Sequence, residues 1–129
     1  MSTTEAQMRQ LQHQSEAWKR DLSFVMEENI ALKNRLAEII SSGQVTSDFL
    51  ERIEAYQNDF IAKDETLRLI FSEIKDWDKL LLKEPYLDGK ETNGKLIAMQ
   101  KRLSRAIESF TNEFSRLKFD FNNYMSETL

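Results

Sequence analysis

The single histidine, His13, stands three residues before Glu16, and on a helix that spacing puts an imidazole and a carboxylate on one face, as a metal site requires. A di-iron bundle, however, draws carboxylates from all four of its helices and carries Glu-x-x-His on two of them. Here the order is reversed and the pair occurs once, so His13 reads as a surface histidine near a helix start. Glu27-Glu28, Asp64-Glu65 and Asp76-x-Asp78 offer paired carboxylates for acid–base work, but they fall on helical segments whose outer faces must be charged in any case. Nucleophilic catalysis needs an activated Ser, Thr, Lys or Cys beside a base. The chain has no cysteine, no Gly-rich phosphate loop and no strand-turn-helix elbow. The expectation is a protein that is not an enzyme, with no catalytic, cofactor-binding or metal-binding residues.

Binding chemistry is the next candidate. Lys101, Arg102 and Arg105 form a short basic strip, joined later by Arg116 and Lys118. A phosphate-binding face wants a net basic domain, whereas 22 acids against 18 bases leave this chain at -4. Nucleic acid is therefore an unlikely partner, and pairing of the strip with acids of the preceding helix is the simpler account. A membrane surface is an unlikely partner as well, because it would need a free apolar helix face flanked by lysines.

Four residues stand apart from these charged sets. Asn29 falls on the apolar seam of the first long segment, where an amide must find a partner or stay wet. Two readings are open: the seam drifts to the bundle edge and leaves the amide in water, or Asn29 pairs across two chains and fixes their register. Phe24, Ile30 and Phe119 fall outside the seams, and aromatic or aliphatic side chains left outside a core often mark a protein interface. They are the candidate interaction surface.

The elements that position these residues are legible from periodicity. With Met8 as an a position, the a and d places fall on Met8, Leu11, Ser15, Trp18, Leu22, Val25, Asn29, Leu32, Leu36 and Ile39, a period of 3.5 that predicts a long helix packed by coiled-coil rules. Ser2 to Glu5 reads as a capping box at its start, and Ser42-Gly43 as its stop. Thr46 or Ser47 then caps a second helix, with Val45 as a staple and a seam of Phe49, Ile53, Tyr56, Phe60, Lys63, Leu67, Ile70, Ile74, Trp77 and Leu81. Leu50, Ile61, Phe71 and Leu82 widen that stripe, which implies two packing neighbours. Pro85 ends the helix, and Asp88-Gly89 makes a turn, with Asp88 or Asn93 as the next cap. A third helix presents Leu96, Met99, Leu103, Ile107, Phe110, Phe114, Leu117, Phe121 and Tyr124 inward. The predicted fold is all-α: three long antiparallel helices in an up-down-up bundle with coiled-coil packing, at about 3–41, 47–84 and 95–125, forming one domain over 1–129.

With no cysteine, no basic-then-apolar leader and no apolar run longer than Leu96 to Met99, the expected location is the cytoplasm. His13, Trp18, Leu22, Phe24, Glu27 and Arg35-Leu36-Ala37-Glu38-Ile39, followed by Ile53-Glu54-Ala55-Tyr56-Gln57-Asn58-Asp59-Phe60-Ile61, resemble a group of short uncharacterised bacterial coiled-coil proteins. The likeness covers the first two thirds of the chain and implies a cytoplasmic helical protein, with no catalytic residue to carry across. In architecture alone the pattern is also similar to a spectrin repeat. The function expected is a non-enzymatic coiled-coil scaffold, adaptor or assembly protein whose partner is another protein or its own copy, as a homo-oligomer. The alternative is a bundle that binds a small apolar ligand or ion between Phe60, Trp77 and Phe110.

Overall fold

The computed structural model describes residues 5–43, 46–83 and 89–128, with side chains from 6 onward in the first helix and from 94 onward in the third. Three helices account for nearly all of it: α1 (Glu5–Ser41, 37 residues), α2 (Ser47–Lys83, 37 residues) and α3 (Gly89–Thr128, 40 residues). At 1.5 Å per residue each spans about 55–60 Å. No strand occurs among the described residues, and Leu117, Phe119 and Phe121 all lie within α3.

The turn between α1 and α2 follows its residues. Gly43 takes a positive φ of 70°, the left-handed cap that a side chain would strain. Its amide donates to the Ile40 carbonyl, and the Ser42 amide donates to those of Glu38 and Ile39. Of the two candidate caps for α2 it is Thr46 that acts: its hydroxyl accepts from the Phe49 amide at 3.3 Å and its carbonyl from the Leu50 amide at 2.9 Å. The proposed capping box at residues 2–5, the Val45 staple, the Pro85 stop and the Asp88 and Asn93 caps rest on side chains or residues outside those described.

The third helix begins six residues before the expected Lys95. Gly89 to Asn93 is already helical, and Gly94 continues the helix with open space around its Cα. Lys90 and Glu91 are good helix formers. The Asn93-Gly94 pair invites a break, but one glycine costs only about 1 kcal/mol against the hydrogen bonds of the turns on either side.

The core runs along the axis of the bundle, from Trp18, Leu22, Leu32 and Leu36 through Ile53, Phe60, Ile74 and Trp77 to Leu103, Phe114, Phe121 and Met125. Polar pairs report the order of the helices. Gln14 meets Gln100 and Glu28 meets Lys118, so α1 and α3 run parallel; Lys63 meets Glu113 and Glu73 meets Arg102, so α2 and α3 run antiparallel. Lys63, the one charge in the α2 seam, sets its ammonium 5.8 Å from the centre of the Phe110 ring and 3.2 Å from Glu113. Aromatic residues gather toward one end. Tyr56 and Phe60 each make a T-shaped contact with Phe121, and Phe49 stacks on Tyr124, with Arg52 over Tyr56 and Tyr124.

Candidate functional site

The side chains singled out from the sequence separate into two groups. Asn29 is fully buried, which overturns the reading that the seam drifts outward and leaves its amide in water. Nor does the amide need a second chain, because its Nδ2 donates to the Phe60 carbonyl at 3.0 Å and to Asp64 Oδ1 at 2.7 Å on α2. The second oxygen of Asp64 holds Lys33, one turn along α1 from Asn29. The same arrangement recurs two heptads away. Ser15, also buried, donates to Asp78 Oδ1 at 2.6 Å, and Lys19, one turn on, reaches Asp78 Oδ2 at 2.6 Å. The hydrogen bond to Asp78 and the charges of Asp78 and Glu16 raise the Lys19 ammonium above its ordinary value of 10.5, against a smaller opposing effect of burial.

The two polar seam residues thus share one construction: a short hydrogen-bonding side chain in the core, a lysine one turn later, and a single α2 carboxylate serving both. Sequence reading singled out Asn29, placed Ser15 on the seam without a role and took Asp64 and Asp78 for charges of an outer face; Lys19 and Lys33 it did not single out. The signal was present. Ser15 and Asn29 are two heptads apart on α1, as are Asp64 and Asp78 on α2, and only an antiparallel alignment brings both pairs together.

Phe24 and Phe119 form the second group. Phe24 is 63% exposed and Phe119 65%, and both flank a single groove between α1 and α3 that encloses about 830 Å³. Its floor is the buried pair Val25 and Phe114; its walls include Thr111 and Ser115. The groove is open where α3 carries Thr111 and Ser115, small polar side chains that fill less of the interface than large apolar ones would. Arg20 and Asp21 lie on its α1 rim with no ion pair among the described residues, whereas Glu28 and Lys118 pair with each other across it.

Compared with family models, with curated proteins and with solved structures, the chain matches none. Ile30, the third off-seam residue, is 45% exposed but does not line the groove, because it lies two residues past Glu28 and so turns away from the row of Phe24 and Glu28. His13 is exposed and lines two shallow clefts near the start of α1, one with Arg9 and Leu82, the other with Leu11 and Ile97. Among the described residues no three His, Asp or Glu side chains gather as a metal site would. No described helix is long and apolar enough to cross a membrane. The basic strip is partly engaged, with Arg102 3.8 Å from Glu73 of α2 and Lys118 on Glu28.

Phe60, Trp77 and Phe110 do not converge. Phe60 and Trp77 are separated along one helix by about 25 Å. Each is packed: Phe60 on Phe121, Trp77 on Trp18 at 5.8 Å, Phe110 beneath Lys63. The Trp77 indole N–H is buried without an acceptor, which costs about 1–3 kcal/mol. Burying roughly 200 Å² of ring contributes about 5 kcal/mol, so the ring's burial outweighs that loss.

Proposed function

We propose that the protein is a non-enzymatic scaffold, adaptor or assembly protein, and that it acts by taking a helix of a partner protein into the α1/α3 groove. The observation that carries this reading is the convergence of Phe24 and Phe119, two exposed aromatic residues from different helices, on the two rims of one groove. An aromatic side chain left in water on a stable helix forfeits about 1.5–3 kcal/mol that burial would supply. Two such residues facing one concavity, with hydrogen-bonding walls and both charge signs on the rim, match the anatomy of a helix-in-groove interface. Coiled-coil packing of the seams, a cytoplasmic location and kinship with the bacterial coiled-coil group belong to the same proposal. The absence of cysteine and the 3.5-residue period support them.

A photo-crosslinking residue at position 119, compared with one at Ser72 on the exposed side of α2, tests the reading in cells. The expected result is a discrete protein adduct from position 119 and none from position 72. Purified protein that carries a small molecule by native mass, displaced by filling the groove with Ser115→Trp, would instead make the groove a ligand site and overturn the protein-contact reading.

A further inference from the structure

Resting on the reading of the α1/α3 groove as a protein contact, we propose that its occupant is α1 of a second copy of this chain, docked antiparallel about a two-fold axis that passes beside Phe24. Charge selects this occupant. Arg20 lies four residues before Phe24, and Glu27 and Glu28 lie three and four residues after it. A two-fold axis at Phe24 therefore sets each Arg20 beside the second copy's Glu27 and Glu28, twice over, because an isologous contact repeats every pair. Neither Arg20 nor Glu27 has an ion pair within its own chain among the described residues, so both are free to engage. The same axis brings Asp21 level with the second copy's Glu27, a like-charge pair. Lys118, already in the groove beside Glu28, offsets it.

Shape agrees with charge. Ala17 and Ala31 lie one heptad on either side of Phe24, and the axis pairs Ala17 with the second copy's Ala31, which lets the two helices approach closely at both ends of the contact. Each Phe24 then enters the neighbouring groove between that copy's Phe24 and Phe119. Four half-exposed aromatic rings remove on the order of 500 Å² from water, and the flanking turns of both α1 helices extend this toward the roughly 1,200 Å² of a stable interface. The result is a reversible dimer of modest affinity, built from two complete three-helix bundles.

Reciprocity makes the proposal testable with two single substitutions. Arg20→Glu sets a carboxylate against the second copy's Glu27, and Glu27→Lys sets an ammonium against its Arg20; each weakens self-association at least tenfold. Mixed in equal amounts, the two variants pair with each other. The carboxylate introduced at position 20 of one chain meets the ammonium introduced at position 27 of the other, while the second contact keeps its wild-type charges. Sedimentation and native mass over about 1–500 µM, a span that brackets affinities expected of so small an interface, read all four samples against the 15.2 kDa of one chain. The expected result is a dimer for wild type and for the mixture, and a monomer for each variant alone, with unchanged helicity throughout. Wild type that stays at one chain's mass across the range overturns the self-pairing, as does a dimer that neither substitution weakens. In the first case, a foreign protein captured from position 119 would leave the protein-contact reading standing with a different occupant, and no adduct at all would remove both.

Discussion

Asn29 shows how a polar residue in a core is held by its partners. Both protons of its amide nitrogen are used, one on the Phe60 carbonyl and one on Asp64, while its carbonyl oxygen is buried without a donor. An unpaired acceptor costs about 1–3 kcal/mol, and two hydrogen bonds, one of them to a carboxylate, offset it. Asn29→Asp removes that balance by placing a second carboxylate against Asp64. It should lower stability by about 3 kcal/mol at pH 7 in urea unfolding. The loss should shrink on acidification, because the introduced carboxyl is held neutral more readily when buried than when unfolded, so its destabilising effect grows with rising pH. Lys19 carries the opposite sign. Its folded-state value lies above 10.5 through its bond to Asp78, so its contribution is fully present below pH 10.5 and is lost as the pH rises through the raised value. The gap in urea midpoint between wild type and Lys19→Met should therefore stay constant from pH 6 to 9 and narrow as the pH rises past 10.5. Sequence alone marked Asn29 as the exceptional seam residue but could not name its acceptor, because the acceptor depends on where α2 lies along α1. That alignment is a property of the pair of helices.

Within the α1/α2 hairpin the two polar clamps set that alignment. Ser15 with Asp78 and Asn29 with Asp64 obey one antiparallel register, about 21 Å apart along the axis. Sliding α1 by one heptad in either direction brings Phe71 opposite one of the two polar side chains and leaves a buried hydroxyl or amide without its acceptor. A heptad slip would keep the apolar seam matched almost as well, so the polar residues specify what the leucines and isoleucines do not. The helix ends obey simpler rules and were the more legible part of the sequence: Gly43 as a left-handed stop follows from residue type, and residue type narrows the α2 cap to Thr46 or Ser47, between which only the fold decides. The start of α3 was less legible, since a turn signal at Asn93-Gly94 competes with good helix formers before it and a long apolar face after it. Two glycines then make a contrasting pair. Gly43→Ala forces a side chain into φ 70° and should cost about 1 kcal/mol. Gly94→Ala adds a methyl where nothing lies within 4 Å and should gain about 0.5–1 kcal/mol in the same thermal melt.

Across the whole bundle, stability and surface are divided between side chains two residues apart. Phe121 is fully buried and touches both other helices: it makes T-shaped contacts with Tyr56 and Phe60 of α2, and the Arg35 guanidinium of α1 lies 5.7 Å from its centroid. Phe119 meets none of these and faces out over the α1/α3 groove. Truncation of Phe121 leaves a cavity where three helices meet, so Phe121→Ala should lower unfolding free energy by about 3–5 kcal/mol. Truncation of Phe119 removes little packing within its own chain and should change that free energy by no more than about 0.5 kcal/mol. The difference between these positions is a rotation of about 200° around α3, which the apolar seam already implied. What the seam did not reveal is that the outward direction at Phe119 is the direction Phe24 also faces, because that follows from α1 and α3 running parallel in one particular stagger. If the groove is a contact surface, the two substitutions must separate: Phe119→Ala should abolish association measured by sedimentation while its urea midpoint stays at the wild-type value. A Phe119→Ala protein that unfolds as early as Phe121→Ala would show that the ring is packed, and the groove would then be an incidental gap between two poorly matched helices.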